Sequence, residues 1–177
     1  STTGLVAQAN GAGDLSAVFA FLIRGVLIGF SAGILIILLQ VPLFWIAFKL
    51  FQAMSEVESK AETYLSIRIW AAPLSIANFA ILGWLIALER TLYVLCLQIF
   101  VNLLNITLNL IFVLNLGWGI EGVALASVIS ETVNTILALA IALTLYKKNG
   151  SPRIQKLFSI IEWKHLFFTN VNILIRS

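Results

Sequence analysis

The 177-residue sequence predicts an all-α polytopic membrane protein, and three observations carry that prediction. Sixty per cent of the residues are hydrophobic and only 11% are charged, where a soluble domain carries roughly 25% charged residues. Four stretches, 25–48, 69–88, 92–116 and 122–146, reach the length of about 20 mainly apolar residues that crosses a bilayer as a helix. The apolar runs are continuous rather than alternating, which excludes a β-barrel.

Taken in order, Ser1 to Arg24 precede the first stretch, with Gly11, Ala12, Gly13 and Asp14 forming a turn. That turn lacks the lysine and the preceding strand of a phosphate-binding loop. In 25–48, Gly25, Gly29 and Gly33 make a ridge of small residues that lets another backbone approach. Pro42 and Pro73 fall inside spans and are expected to kink them. Gln52 to Tyr64, with Glu56, Glu58, Lys60 and Glu62, reads as a solvated connection. Trp70, Trp84 and Trp118 lie toward span ends and Trp45 lies near one, as interfacial anchors do. Glu89–Arg90 and Asn115–Glu121 are short connections. Residues 147–165 form a basic segment, and the apolar run from Leu166 is expected to begin another span within 166–177. With no initiator methionine and no signal peptide, the chain reads as a piece of a larger protein.

Charge sets the expected orientation. Lys147, Lys148, Arg153, Lys156 and Lys164 cluster in one segment opposed only by Glu162, so the positive-inside rule puts 147–165 in the cytoplasm. Counting back, Asn115–Glu121 is outside, Glu89–Arg90 inside, Lys49–Arg68 outside and Ser1–Arg24 inside. The basic run lacks aromatic interleaving beyond Trp163, so no nucleic-acid partner is expected.

Candidate chemistry lies on polar faces within the spans. Gln98, Asn102, Asn105 and Asn109 recur at spacings of four, three and four, within an arc of about 60° and over about 16 Å of helix. Interhelical hydrogen bonds, at about 1 kcal/mol per contact or less, explain isolated amides of this kind. Four in register are more than packing uses, which makes the stripe the first candidate site. Glu131 is the only carboxylate well inside a span. A buried charge there costs several kcal/mol unless it faces a cavity, a partner or a cation. Its other reading is a structural glutamate hydrogen-bonded between helices. Ser127, Ser130 and Asn134 share its polar face, and Asn78 follows Ser75 by one turn beside Pro73.

Nothing points to an enzyme. Cys96 is single, between Leu95 and Leu97, and reads as a buried, inert thiol. His165 is single, and no His/Cys cluster has metal spacing. No cofactor is expected, and with no nucleotide-binding loop, transport by this chain would draw on an ion gradient of Na⁺ or H⁺.

Several blocks resemble one family. Thr3 to Ala9, followed by Gly11, resembles the end of the second helix of multidrug and toxic compound extrusion (MATE) transporters. Tyr64 to Pro73, continuing through Asn78 to Leu82–Gly83–Trp84, is similar to their fourth helix. Asn102 to Ile106 is similar to the fifth, and Gly122 to Ser127 to the sixth. Together the blocks resemble the branch named for DNA-damage-inducible protein F.

The resemblance implies a twelve-helix transporter of two six-helix lobes. Residues 1–146 would be a partial N-terminal lobe, 147–165 the cytoplasmic inter-lobe loop and 166–177 the start of the next helix. It implies exchange of Na⁺ or H⁺ for organic, often cationic, compounds by alternating access in the plasma membrane. Membrane lipid, small organic substrates and the remaining transporter helices would be the partners. The family's pocket uses an acid on helix one, an Asn-x-x-x-Asp pair on helix five and a hydroxyl on helix six. Here the pair falls on Asn105 and Asn109, the hydroxyl on Ser127, and Asn78 is a further pocket residue. The resemblance implies a Na⁺ site near Asn105, Asn109 and Ser127. Asn109 departs from the pattern, because an amide can ligate a cation but cannot take up a proton. Coupling is then expected to rely on the helix-one acid, helped by Glu131.

Two other readings stay open. A lipid-linked precursor flippase would need a cationic cavity, and no Lys or Arg is expected in mid-span. A non-transporting membrane scaffold would use the polar stripes for assembly alone.

Overall fold

The computed structural model describes residues 2–51 and 55–150, and every element among them is helical. Helix α1 (Thr2–Gly11) turns sharply into α2 (Leu15–Leu38). Gly13, at φ +72°, lets its own N–H reach Asn10 O and that of Asp14 reach Ala9 O, at 3.1 and 3.0 Å. This pairing satisfies the last carbonyls of α1. Asp14 then accepts the Ala17 N–H at 2.9 Å and caps α2.

That cap starts the first span ten residues before the expected Gly25, and the helix ends at Leu38 instead of Phe48. The stop follows from Pro42, which has no N–H for Leu38 O. A separate helix α3 (Gln40–Phe51) continues the chain. The shift puts Arg24 inside a span, fully buried, with its guanidinium 5.8 Å from the Phe21 ring centroid. The expectation of no mid-span cation is therefore corrected.

Residues 55–64, read as a solvated connection, instead belong to helix α4 (Ser55–Arg68). Free of Gly and Pro, and with Glu56, Glu58, Lys60, Ala61 and Glu62 all good helix formers, the segment favours a helix despite its charge. A short 3₁₀ turn, Ile69–Ala71, joins it to α5 (Ala72–Ala87). Pro73 sits in the first turn of α5 and leaves Ile69 O without a partner four residues on. The Ala72 N–H takes that carbonyl at the tighter i+3 spacing. The second span therefore runs Val57–Ala87, not 69–88.

Helix α6 (Thr91–Asn109) passes into a π-helical turn, Leu110–Asn115, and α7 (Gly119–Lys148) completes the bundle. These two spans run to Asn115 and from Gly119 to Lys148, close to the expected 92–116 and 122–146. Lys147 and Lys148 lie in the last turn of α7, where cations suit the helix dipole. The rest of the basic segment 147–165, including His165, and the apolar run 166–177 lie outside the described residues beyond Gly150.

The core forms where α1, α2, α5 and the end of α7 meet, around Val18, Phe19, Ile81, Trp84 and Leu85. Trp84 is 1% exposed, and its indole N–H donates to Val18 O at 3.0 Å. It is a core residue and not an interfacial anchor, because its helix face looks onto α2. Trp45, Trp70 and Trp118 remain exposed. Cys96 is likewise exposed, on the outward apolar side of α6.

Candidate functional site

Helices α5, α6 and α7 are joined by short turns, so α5 and α7 run in one direction and α6 in the other. On antiparallel α6 and α7, Asn105 meets Ser127, its Nδ2 donating to Oγ at 3.3 Å. At the 1.5 Å rise per residue, Asn102 then lies at the level of Ser130 and Gln98 at that of Asn134. On parallel α5 and α7, Ser75 meets Glu131, and one turn further Asn78 and Asn134 share a level.

Between these faces and the end of α4 lies a cavity of about 410 Å³. Asn78, Gln98, Asn102, Asn105, Ser127 and Glu131 all line it. Asn109 does not. Its Nδ2 donates instead to Asn105 Oδ1 at 2.9 Å and to Asn105 O at 3.0 Å. Asn109, Asn105 and Ser127 thus form one hydrogen-bonded chain, and the Asn109 Oδ1 is buried without a partner. The chain supplies three neutral oxygens and no carboxylate.

The cavity's charge is an ion pair. Arg68, at the end of α4, donates from one guanidinium nitrogen to Glu131 Oε1 at 2.5 Å. Ser75 donates to the other carboxylate oxygen. The two charged side chains are about a third exposed or less, so neither is solvated as in bulk water. Glu131 is held by a cation and a hydroxyl on two other elements, which answers why an acid stands inside this span. Deeper in, Asn134 is 2% exposed, and the oxygens of Asn78 and Asn134 have no hydrogen-bond partner.

Arg68 and Tyr64 line the cavity, and sequence reasoning missed both by treating them as part of an exterior loop. The available signal was elimination. One in-span carboxylate calls for a cation, and among the described residues Arg24, Lys49 and Arg68 are the basic ones flanked by apolar neighbours, which narrows the choice to three. No group of acidic, His and Cys residues that could hold a metal occurs among the described residues.

Comparison with known proteins adds the family. The MatE family model matches residues 1–111, which takes in α1 to α6 and the start of the π-helical turn. DNA damage-inducible protein F of Escherichia coli (strain K12) is similar to the chain, with 34% identity over 178 aligned positions. The alignment covers 100% of this chain and 39% of that relative, so the chain spans well under half of the relative's length. No solved structure matches the chain.

Proposed function

The chain belongs to the MATE family of transporters, and on that premise we propose that it forms part of a secondary active exporter of small organic compounds. The observation that carries this reading is the polar cavity lined by three of the four candidate membrane spans, with an ion pair and unpartnered amide oxygens in its wall. Lipid gives such groups no hydrogen bonds, so a cavity of this kind suits a passing solute better than assembly alone. Asn78, Gln98, Asn102 and Asn105 would contact the solute. The Asn109–Asn105–Ser127 chain would hold a coupling Na⁺ once the amides turn their oxygens inward. Glu131, the carboxylate in the cavity wall, would help the coupling.

The protein would lie in the plasma membrane with 147–165 in the cytoplasm, using Na⁺ or H⁺ entry to drive export by alternating access. The remaining transporter helices would complete the path.

The test is full-length protein in liposomes, with an imposed Na⁺ or pH gradient and a cationic dye as the reporter. Gradient-dependent dye movement is expected, and Glu131→Gln lowers it. Dye movement indifferent to both gradients overturns ion-coupled export. A second reading, a lipid-linked precursor flippase, draws support from Arg68, which brings a cation into the cavity. Glu131 neutralises that cation, so export remains the better reading. Movement of a lipid-linked sugar in the same liposomes would favour the flippase.

A further inference from the structure

The cavity's charge arrangement narrows the class of solute, given the export reading above. Arg68 and Glu131 cancel, so the described wall carries no net charge. A ligand with net charge brings an uncompensated charge into a site partly shielded from water, and one that breaks the ion pair leaves its partner orphaned. A neutral solute with separated charges does neither.

The spare hydrogen-bonding capacity is also polarised. A guanidinium has five N–H donors in a planar fork that matches a carboxylate. Arg68 lines the cavity and bonds Glu131 through a single guanidinium nitrogen, which leaves further donors of the fork for a ligand. Both carboxylate oxygens of Glu131 are already engaged. About one turn deeper, the carboxamide oxygens of Asn78 and Asn134 are buried without a hydrogen-bond partner. Each carboxamide can rotate about its last torsion to present its oxygen. Unused donors beside a cation therefore stand at one level, and unused acceptors below an anion stand at the next.

We propose that this cavity binds a small zwitterion, its carboxylate toward Arg68 and its ammonium toward Asn78 and Asn134, leaving the Arg68–Glu131 pair intact. Arg68 is then a specificity-determining residue that favours zwitterions over simple cations.

The test is calorimetric titration of the purified full-length protein with three ligands of one shape. These are para-aminomethylbenzoic acid (a zwitterion), its methyl ester (a cation) and para-toluic acid (an anion). The zwitterion is expected to bind about tenfold more tightly than either of the others. Arg68→Gln should bring the zwitterion and the ester to equal affinity. Arg68→Lys keeps the charge and should keep the preference, which separates the loss of charge from damage to the fold. Asn134→Leu should weaken the zwitterion and the ester and leave the acid unchanged. An ester that binds wild-type protein as well as the zwitterion overturns the proposal, as does a preference that survives Arg68→Gln or the absence of binding by all three. Binding needs no gradient, so a retained preference without gradient-driven export would remove the export reading and leave this one standing.

Discussion

Helix α5 has two faces built on opposite principles. Toward α2 it presents Pro73 and Ala77, and the glycines of α2 bring the two backbones together. A Cβ at Gly33 would stand 2.2 Å from Pro73 Cα, and one at Gly29 would stand 3.0 Å from Ala77 Cα. Toward α6 and α7 the same helix presents Ser75 and Asn78 to a cavity. The first face is dry, and dispersion between close backbones holds it. The second keeps polar groups unpaired, each at about 1–3 kcal/mol. The difference teaches a division of labour. The seam fixes where α5 stands, and the rigidity of the seam allows the opposite face to remain incompletely satisfied until a ligand arrives.

The comparison breaks most visibly at Gly33. Gly33→Ala places a methyl group on backbone atoms that cannot rotate away, so the helices must separate. The expected loss exceeds the usual range of about 1–3 kcal/mol for overpacking, even after the gain in helix propensity. Gly29→Ala meets a contact at 3.0 Å and should cost about 1 kcal/mol. Thermal unfolding in detergent would order the two, and equal midpoints would mean that the seam yields.

A smaller pair of effects has opposite signs on the two faces. Trp84→Phe removes the bond to Val18 O and leaves a small void in the seam, for an expected loss of about 1–2 kcal/mol. Asn134→Leu keeps the branching of the side chain, has the cavity to take its larger methyl groups, and removes a buried amide whose oxygen has no partner, so the folded protein should gain about 1 kcal/mol. Transport should fall as stability rises, the usual exchange at a functional site. A destabilised Asn134→Leu variant would show that the amide is structural, and the contrast between the faces would disappear.

The parts legible in sequence were those that depend on phase along one helix. Gln98, Asn102, Asn105, Ser127 and Glu131 line one cavity because a 100° step places them together whatever surrounds the helix. Span limits were less legible. Arg24 and Arg68 resemble boundary charges, and hydropathy cannot register that Glu131 answers Arg68 from 63 residues away. Trp84 lies near a span end, where rings often anchor, and only the packing of α2 makes it core. Asn109 keeps the phase of its stripe and still leaves the cavity wall, since Asn105 offers it both an oxygen and a carbonyl within hydrogen-bonding distance.

The smallest expected effect concerns the turns that close the two faces. The α1–α2 turn on the seam side and the α5–α6 turn beneath the cavity share one hydrogen-bond pattern. In the second, Glu89 N donates to Ile86 O and Arg90 N to Leu85 O, both at 2.9 Å. The first turn has Gly13 at the left-handed position, and the second has Glu89 there at φ 59°. A side chain in that conformation costs about 1–2 kcal/mol, and glycine's extra freedom when unfolded returns about 0.5–1 of it. Glu89→Gly should therefore raise stability by about 0.5–1 kcal/mol, a small upward shift of the unfolding midpoint. Zwitterion affinity should not change, because the turn lies outside the cavity wall. A lower midpoint would mean that the Glu89 carboxylate holds the α5–α6 connection, and that the polar side of α5 is tied down by more than its turn.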